Sequence, residues 1–237
     1  METLDDLLFT RAPTARRPLL GLTVLIVEDS RFASEAVRLM CLRSGARIRR
    51  ADSLENARRH LAIYRPNVLL VDVGLPDVSG LSLIRAVAGA TPRIDVVLGI
   101  SGEDHRHDVL TAGANGYIAK PVGSLAAFQS AILDHLPQNR QPPSPRRVPD
   151  ETIRPDPIAY RDDLSHIAQV LDDTDDDGAL DYVTQFLGGI ARIAQDHDLD
   201  AAVANLTKLR RAGRNPDAGV VALSQLVQTR IAAGGPL

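Results

Sequence analysis

Asp72 closes the segment NVLLVD, whose apolar run 68–71 is too short for a helix and reads as a strand buried on both faces. A carboxylate at the carboxyl end of such a strand lies where open α/β sheets bind ligands, although a turn or capping Asp has the same local look. Three further strand patterns end on reactive side chains. Residues 22–27 (LTVLIV) run into Glu28 and Asp29, residues 94–100 into Ser101, and the brief 116–119 segment into Lys120. Acid, acid, hydroxyl and ammonium at four separate strand ends is a set that chance capping does not readily produce.

The elements between these strands decide whether the ends can meet. Ser30 is a good N-cap for a helix with Phe32, Ala36, Val37, Leu39, Met40 and Leu42 at helical spacing, and Gly45 supplies its stop. Residues 46–51 alternate Ile and Arg like a short edge strand. Ser53 caps a second helix to about Tyr64, and Arg65-Pro66 breaks it. Residues 77–80 form a turn before a short helix over 81–87. Residues 104–112 make a more polar helix stopped by Gly113, and 122–136 a last amphipathic one. Five strand–helix alternations argue an α/β fold: a five-stranded, doubly wound parallel sheet with right-handed crossovers.

Composition narrows the rest. Aromatics are only 3% and Trp is absent, so aliphatic side chains must fill the cores. Cys41, the single cysteine, excludes an internal disulfide framework and any Cys-based zinc site, and reads as a small buried hydrophobe. No apolar run is long enough to span a bilayer and no apolar signal core begins the chain, so a cytoplasmic protein without membrane partners is expected. The charge of −3 is uneven: 8 basic against 15 acidic residues over 150–237 give −7 there and leave +4 elsewhere. An acidic C-terminal part argues against nucleic acid as its partner.

Residues 21–136 resemble the receiver domain of two-component response regulators, a flavodoxin-like fold. The resemblance is carried by VLIVEDS, LLVDVGLPDVSG, the strand ending in Ser101, and AGANGYIAKPV at 112–122. It implies that Asp72 is the phosphoacceptor and that Glu28, Asp29, Asp72 and the main-chain carbonyl of Gly74 hold Mg²⁺. A hard cation suited to carboxylates and phosphoryl oxygens resolves three clustered negative charges. Lys120 would pair with the carboxylate and then with a phosphoryl oxygen. Ser101 and Tyr117 would form the switch, the hydroxyl moving toward the phosphoryl group and the ring filling the space it leaves. The family's cis Lys120–Pro121 bond would aim the ammonium inward. Gly74 and Glu103 fall two residues after Asp72 and Ser101, flanking the family's hydrolytic-water path. His105 and His107 are expected to face solvent, with metal binding a poor second.

Residues 1–20 are expected to be a flexible arm, with a leucine-bearing docking peptide as the sharper alternative. Residues 137–157 are proline-rich and read as an extended linker. Residues 158–237 read as four amphipathic helices, a small all-α bundle. It resembles a histidine phosphotransfer domain with Thr207 in the place of the histidine, followed by Leu209, Arg210 and Arg211. His166 and His197 lie elsewhere, so the bundle is expected to serve contact rather than relay. Asp173 to Asp177 and Gly178 imitate a calcium loop, but position twelve is Thr184, and an acidic turn is the plainer reading.

The resemblance implies a response regulator, not an enzyme. A sensor histidine kinase or histidine phosphotransfer protein would phosphorylate Asp72, and output would run through protein contact, a second copy of the chain included. The alternatives are a DNA-binding transcriptional regulator, a phosphorelay intermediate, and an aspartyl-phosphate hydrolase, which would want an Asp where Gly74 stands.

Overall fold

The computed structural model describes residues 12–76, 79–122, 124–143, 151, 153–173 and 177–234. It divides into two units, Met1–Asp29 with Ala36–Ile153, and Ser30–Glu35 with Arg154–Leu237. In the first, five strands β1 (Thr23–Val27), β2 (Arg47–Ala51), β3 (Val68–Asp72), β4 (Val96–Ser101) and β5 (Gly116–Ala119) form one sheet in the order β2-β1-β3-β4-β5. Every neighbouring pair is parallel. Five helices connect the strands or follow them: α1 (Arg31–Ser44), α2 (Leu54–Ile63), α3 (Leu81–Ala88), α4 (Arg106–Thr111) and α5 (Leu125–Leu133).

Strand alternation divides the apolar side chains between two cores. Val24 and Ile26 pack with Val37, Met40 and Cys41 of α1 and Phe128 and Ile132 of α5, while Leu25 and Val27 pack with α2, α3 and α4. The expected doubly wound sheet is therefore present. Burial pushes the Cys41 thiol up to about 12, in keeping with an inert hydrophobe. Gly45, at φ 86°, ends α1 in the left-handed region that favours glycine.

Two asparagines set the strand starts. Asn67 donates its N–H to the Thr23 carbonyl (2.9 Å), and its side-chain oxygen accepts the Thr23 N–H at 2.8 Å. Asn115 repeats the device on Val97, at 2.7 and 2.8 Å. The far end of β3 is governed by Gly80. A Cβ there would lie 2.0 Å from the Asp72 carbonyl oxygen and 2.8 Å from Val71 Cγ1. Only glycine lets the start of α3 lie against the strand end that carries Asp72.

Two expectations change. Residues 12–20 are not a loose arm throughout: Leu19 is fully buried in the first core and donates its N–H to the Ser44 carbonyl at 2.9 Å. Burying a leucine contributes about 2 kcal/mol, enough to hold a short stretch down. Residues 1–11 lie outside the described residues. The expected linker is tied to the first unit at several points, among them Arg140 on Asp95 at 3.4 Å and the Gln141 side-chain amide, which donates to the Leu133 and Leu136 carbonyls at 2.6 and 3.0 Å. The Glu151 carbonyl accepts the Leu125 N–H at 3.1 Å, and Ile153 packs half-buried against the first core.

The second unit holds α6 (Pro157–Asp173), α7 (Asp177–Ala194), α8 (His197–Arg211) and α9 (Asp217–Ala233). Each helix packs on two others, α6 and α8 both touching α7 and α9. Its core gathers Leu164, Ile167, Val183, Leu187, Ile190, Leu199, Leu206, Leu223 and Val227. Phe32 joins it edge-on to Tyr160, with ring centroids 5.3 Å apart. Buried Asp163 accepts from the Ser30 hydroxyl (2.7 Å) and from the N–H groups of Arg31 (2.9 Å) and Phe32 (3.0 Å).

Asp196 is the polar centre of this unit. It caps α8 by accepting the Leu199 N–H, takes the Tyr160 hydroxyl at 2.9 Å, and meets Arg230 in a two-point pair at 2.7 and 3.0 Å. One carboxylate therefore ties α6, α8 and α9 together. Burial acts to raise its pKa, but the hydrogen bonds from Arg230, Leu199 and Tyr160 prevail and hold it below the usual 3.8.

Gly80→Ala is expected to lower the stability of the first unit by about 3 kcal/mol, read as a fall in the urea midpoint. Asp196→Asn should destabilise the second unit by about 3 kcal/mol at neutral pH, because it leaves Arg230 buried without its partner. The folded Asp196 titrates below its unfolded value, so its contribution is present above about pH 4 and is lost as pH falls through the folded value. The gap between wild type and variant, followed by circular dichroism on heating, should narrow along that acid limb.

Candidate functional site

Because the strands are parallel, their carboxyl ends share one rim. Glu28 and Asp29 follow β1, Asp72 ends β3, Ser101 ends β4, and Lys120 follows β5. Carboxylate oxygens of Glu28, Asp29 and Asp72 all lie within 4.8 Å of one another. The Lys120 ammonium sits 2.6 Å from Glu28 Oε2 and 3.1 Å from Asp72 Oδ2. Residues about fifty apart in the chain are thus brought into a single charge cluster.

The cluster is secluded. Glu28 is 2% exposed and Asp72 6%, so neither charge has bulk water to stabilise it. Burial, joined by the charges of Asp72 and Asp29, raises the Glu28 carboxyl well above the usual range despite the Lys120 pair. Burial works against the Lys120 ammonium too, but Asp72 and Glu28 outweigh it and hold its pKa above the ordinary lysine value. Among the described residues, one buried cation is set against three carboxylates, an excess of negative charge that a divalent cation would relieve.

Ser101 is fully buried, and its Oγ accepts the Glu103 N–H at 3.2 Å. Its main-chain oxygen accepts the Lys120 N–H at 2.7 Å, which joins the two strand ends. The Tyr117 hydroxyl reaches the carbonyl of Glu103 at 2.5 Å and that of Ser101 at 3.3 Å, so this ring is latched to the loop after β4. Arg106 lies over the ring, 5.2 Å from its centroid. Gly74 is half-buried in the loop after β3, and the Lys120–Pro121 bond is cis.

The other candidates are not members of this cluster. His105 is half-buried, 3.9 Å from Glu103 and 3.5 Å from Asp108, and His107 is exposed. Thr207 donates its hydroxyl to the Val203 carbonyl within α8, and His166 and His197 are exposed. Residues 174–176 and the side chains of Asp173 and Asp177 lie outside the described residues. Helix α7 begins at Asp177 and Thr184 bonds back to the Leu180 carbonyl, so the second half of the imagined calcium loop is helix. Among the described residues, Glu28, Asp29 and Asp72 form the one group of three or more side chains placed to hold a metal ion.

Arg50 belongs to the site and carried no assignment from the sequence. Its Nε and Nη2 donate to the main-chain oxygens of Glu28 and Asp29 at 3.2 and 2.6 Å. The only signal in the sequence was the Ile/Arg alternation of β2.

Comparison with known proteins places the first unit in a family. Residues 24–132 match the family model of the response regulator receiver domain. The virulence transcriptional regulatory protein PhoP of Salmonella typhimurium is 32% identical over 100 residues, 41% of this chain and 45% of that protein. The KDP operon transcriptional regulatory protein KdpE of Escherichia coli is 34% identical over 144 residues, 60% of this chain and 59% of that protein. The chain thus spans about half the length of these curated relatives. A solved signal receiver domain of a histidine kinase from Syntrophus aciditrophicus is 27% identical, covering 47% of this chain and 86% of that one, with a TM-score of 0.43. Residues 24–132 of this chain are a receiver domain of the response-regulator family. Among the described residues, no helix is long and apolar enough to cross a membrane.

Lys120→Ala removes a cation paired with two buried carboxylates. It should destabilise the first unit by about 3 kcal/mol at pH 7 in urea unfolding. The loss should shrink at acid pH, where Glu28, already raised, takes up a proton.

Proposed function

We propose that this chain is a response regulator that accepts a phosphoryl group on Asp72 from the phosphohistidine of a sensor histidine kinase or a histidine phosphotransfer protein. The observation that carries this reading is the Lys120 ammonium held 3.1 Å from Asp72 Oδ2 at the rim where Glu28 and Asp29 also arrive. A carboxylate oxygen attacks phosphorus, the new O–P bond forms as the N–P bond breaks, and the imidazole stays with the donor. A carboxylate is a weak nucleophile, so the help must come from placement and charge neutralisation.

Each residue has a part in that help. Glu28, Asp29 and Asp72, with the Gly74 carbonyl, would hold Mg²⁺. Bound there, the ion would neutralise charge on the phosphoryl oxygens. Lys120 balances the carboxylates beforehand and turns to a phosphoryl oxygen afterwards. Ser101 Oγ donates to another of these oxygens. Its movement draws on the loop that Tyr117 latches through the Glu103 carbonyl, so a local charge event reaches the α4–β5 face.

Output runs through protein contact, with a second copy of the chain as one partner. The −7 charge over residues 150–237 supports this over docking on nucleic acid. The bundle, with Thr207 where a phosphotransfer histidine would stand, serves contact rather than relay.

Incubation with acetyl phosphate and Mg²⁺, read on Phos-tag gels and by mass, should give one labile modification. It should vanish in Asp72→Asn and with EDTA. A modification that persists in Asp72→Asn would overturn the assignment. Sizing of the two forms then reads whether oligomeric state changes.

A further inference from the structure

The acidic pair lies just beyond the supported end of its strand. The β1–β2 ladder ends at Val27 and Ala51, so Glu28 and Asp29 come one and two residues after the last paired position. Glu28 still donates its N–H to the Ala51 carbonyl at 2.9 Å. Past that point the main chain is held by the side chain of Arg50. Strand alternation puts Arg50 on the side of Ile48, where an apolar residue would continue the first core. Its half-buried guanidinium instead forks onto two successive carbonyls, those of Glu28 and Asp29, at 3.2 and 2.6 Å.

We propose that Arg50 is a positioning residue for the cation site. The fork fixes the main chain of Glu28 and Asp29 so that both carboxylates are aimed at Asp72 before a divalent cation arrives. This rests on the reading of the rim as a Mg²⁺ and phosphoryl site.

Two effects of Arg50 oppose each other. Its positive charge repels a cation, whereas its hydrogen bonds order the residues that supply the ligands. If charge dominated, loss of Arg50 would tighten Mg²⁺ binding. If ordering dominates, loss of Arg50 weakens it, as loss of hydrogen bonds behind a metal ligand generally does. Two donors of one rigid plane on adjacent carbonyls is the arrangement that orders a chain, and lysine, a point charge on a flexible stem, does not reproduce it.

Isothermal titration of Mg²⁺ into the full chain tests this in wild type, Arg50→Lys and Arg50→Gln. The Mg²⁺ dependence of acetyl-phosphate labelling is followed in parallel. Both variants should bind Mg²⁺ about tenfold more weakly, and labelling should recover the wild-type rate once Mg²⁺ is saturating. That split between affinity and saturated rate is one a general loss of structure would not produce. An unchanged or tighter Mg²⁺ constant in either variant overturns the proposal. So does failure of both variants to fold, which would make Arg50 a structural tie. A wild type that binds no Mg²⁺ is a different failure and sinks the cation-site reading itself.

Discussion

The arrangement depends on one buried ion cluster, the Lys120 ammonium set between Glu28 and Asp72. Charges removed from water are tolerated only when paired and hydrogen-bonded, and here one cation faces three carboxylates. The pairing offsets the burial of Glu28 and Asp72, while among the described residues the three carboxylates outnumber the cation set between them. That imbalance is one a hard divalent cation would relieve.

The sheet supplies the geometry. Parallel strands end on one side, so residues separated by dozens of positions converge without any special loop. Small devices then set the ends. Asn67 and Asn115 pair the strand starts, and Gly80 lets α3 lie on the end of β3. The Lys120 N–H on the Ser101 carbonyl joins β4 to β5 where both deliver a functional group. Tyr117 reaches that loop through its hydroxyl, so ring position and loop position are mechanically linked.

The helical unit uses a different organising group. Its apolar core is unremarkable for a helical bundle, but Asp196 ties three helices through Tyr160, Leu199 and Arg230. A fully hydrogen-bonded buried carboxylate specifies one arrangement of helices more sharply than apolar contact does. Thr207 spends its hydroxyl on its own helix, donating it to the Val203 carbonyl at 2.9 Å.

By itself the sequence determined the alternation of strands and helices, the parallel sheet, and the side chains at its rim. These follow from periodicity and strand-end chemistry, which are local, together with motif resemblance at Asp72, Lys120 and the Glu28–Asp29 pair. Tertiary structure alone decided what depends on which distant groups become neighbours. Leu19 leaves an apparent arm because a core lies within reach, and Ile153 leaves an apparent linker for the same reason. Asp196 carried no assignment from the sequence, and Arg230 and Tyr160 reach it from other helices. Arg50 reads as an edge-strand charge until the carbonyls of Glu28 and Asp29 are found beneath it. A hydrogen-bonding side chain declares its type in the sequence, but its partner is chosen by packing.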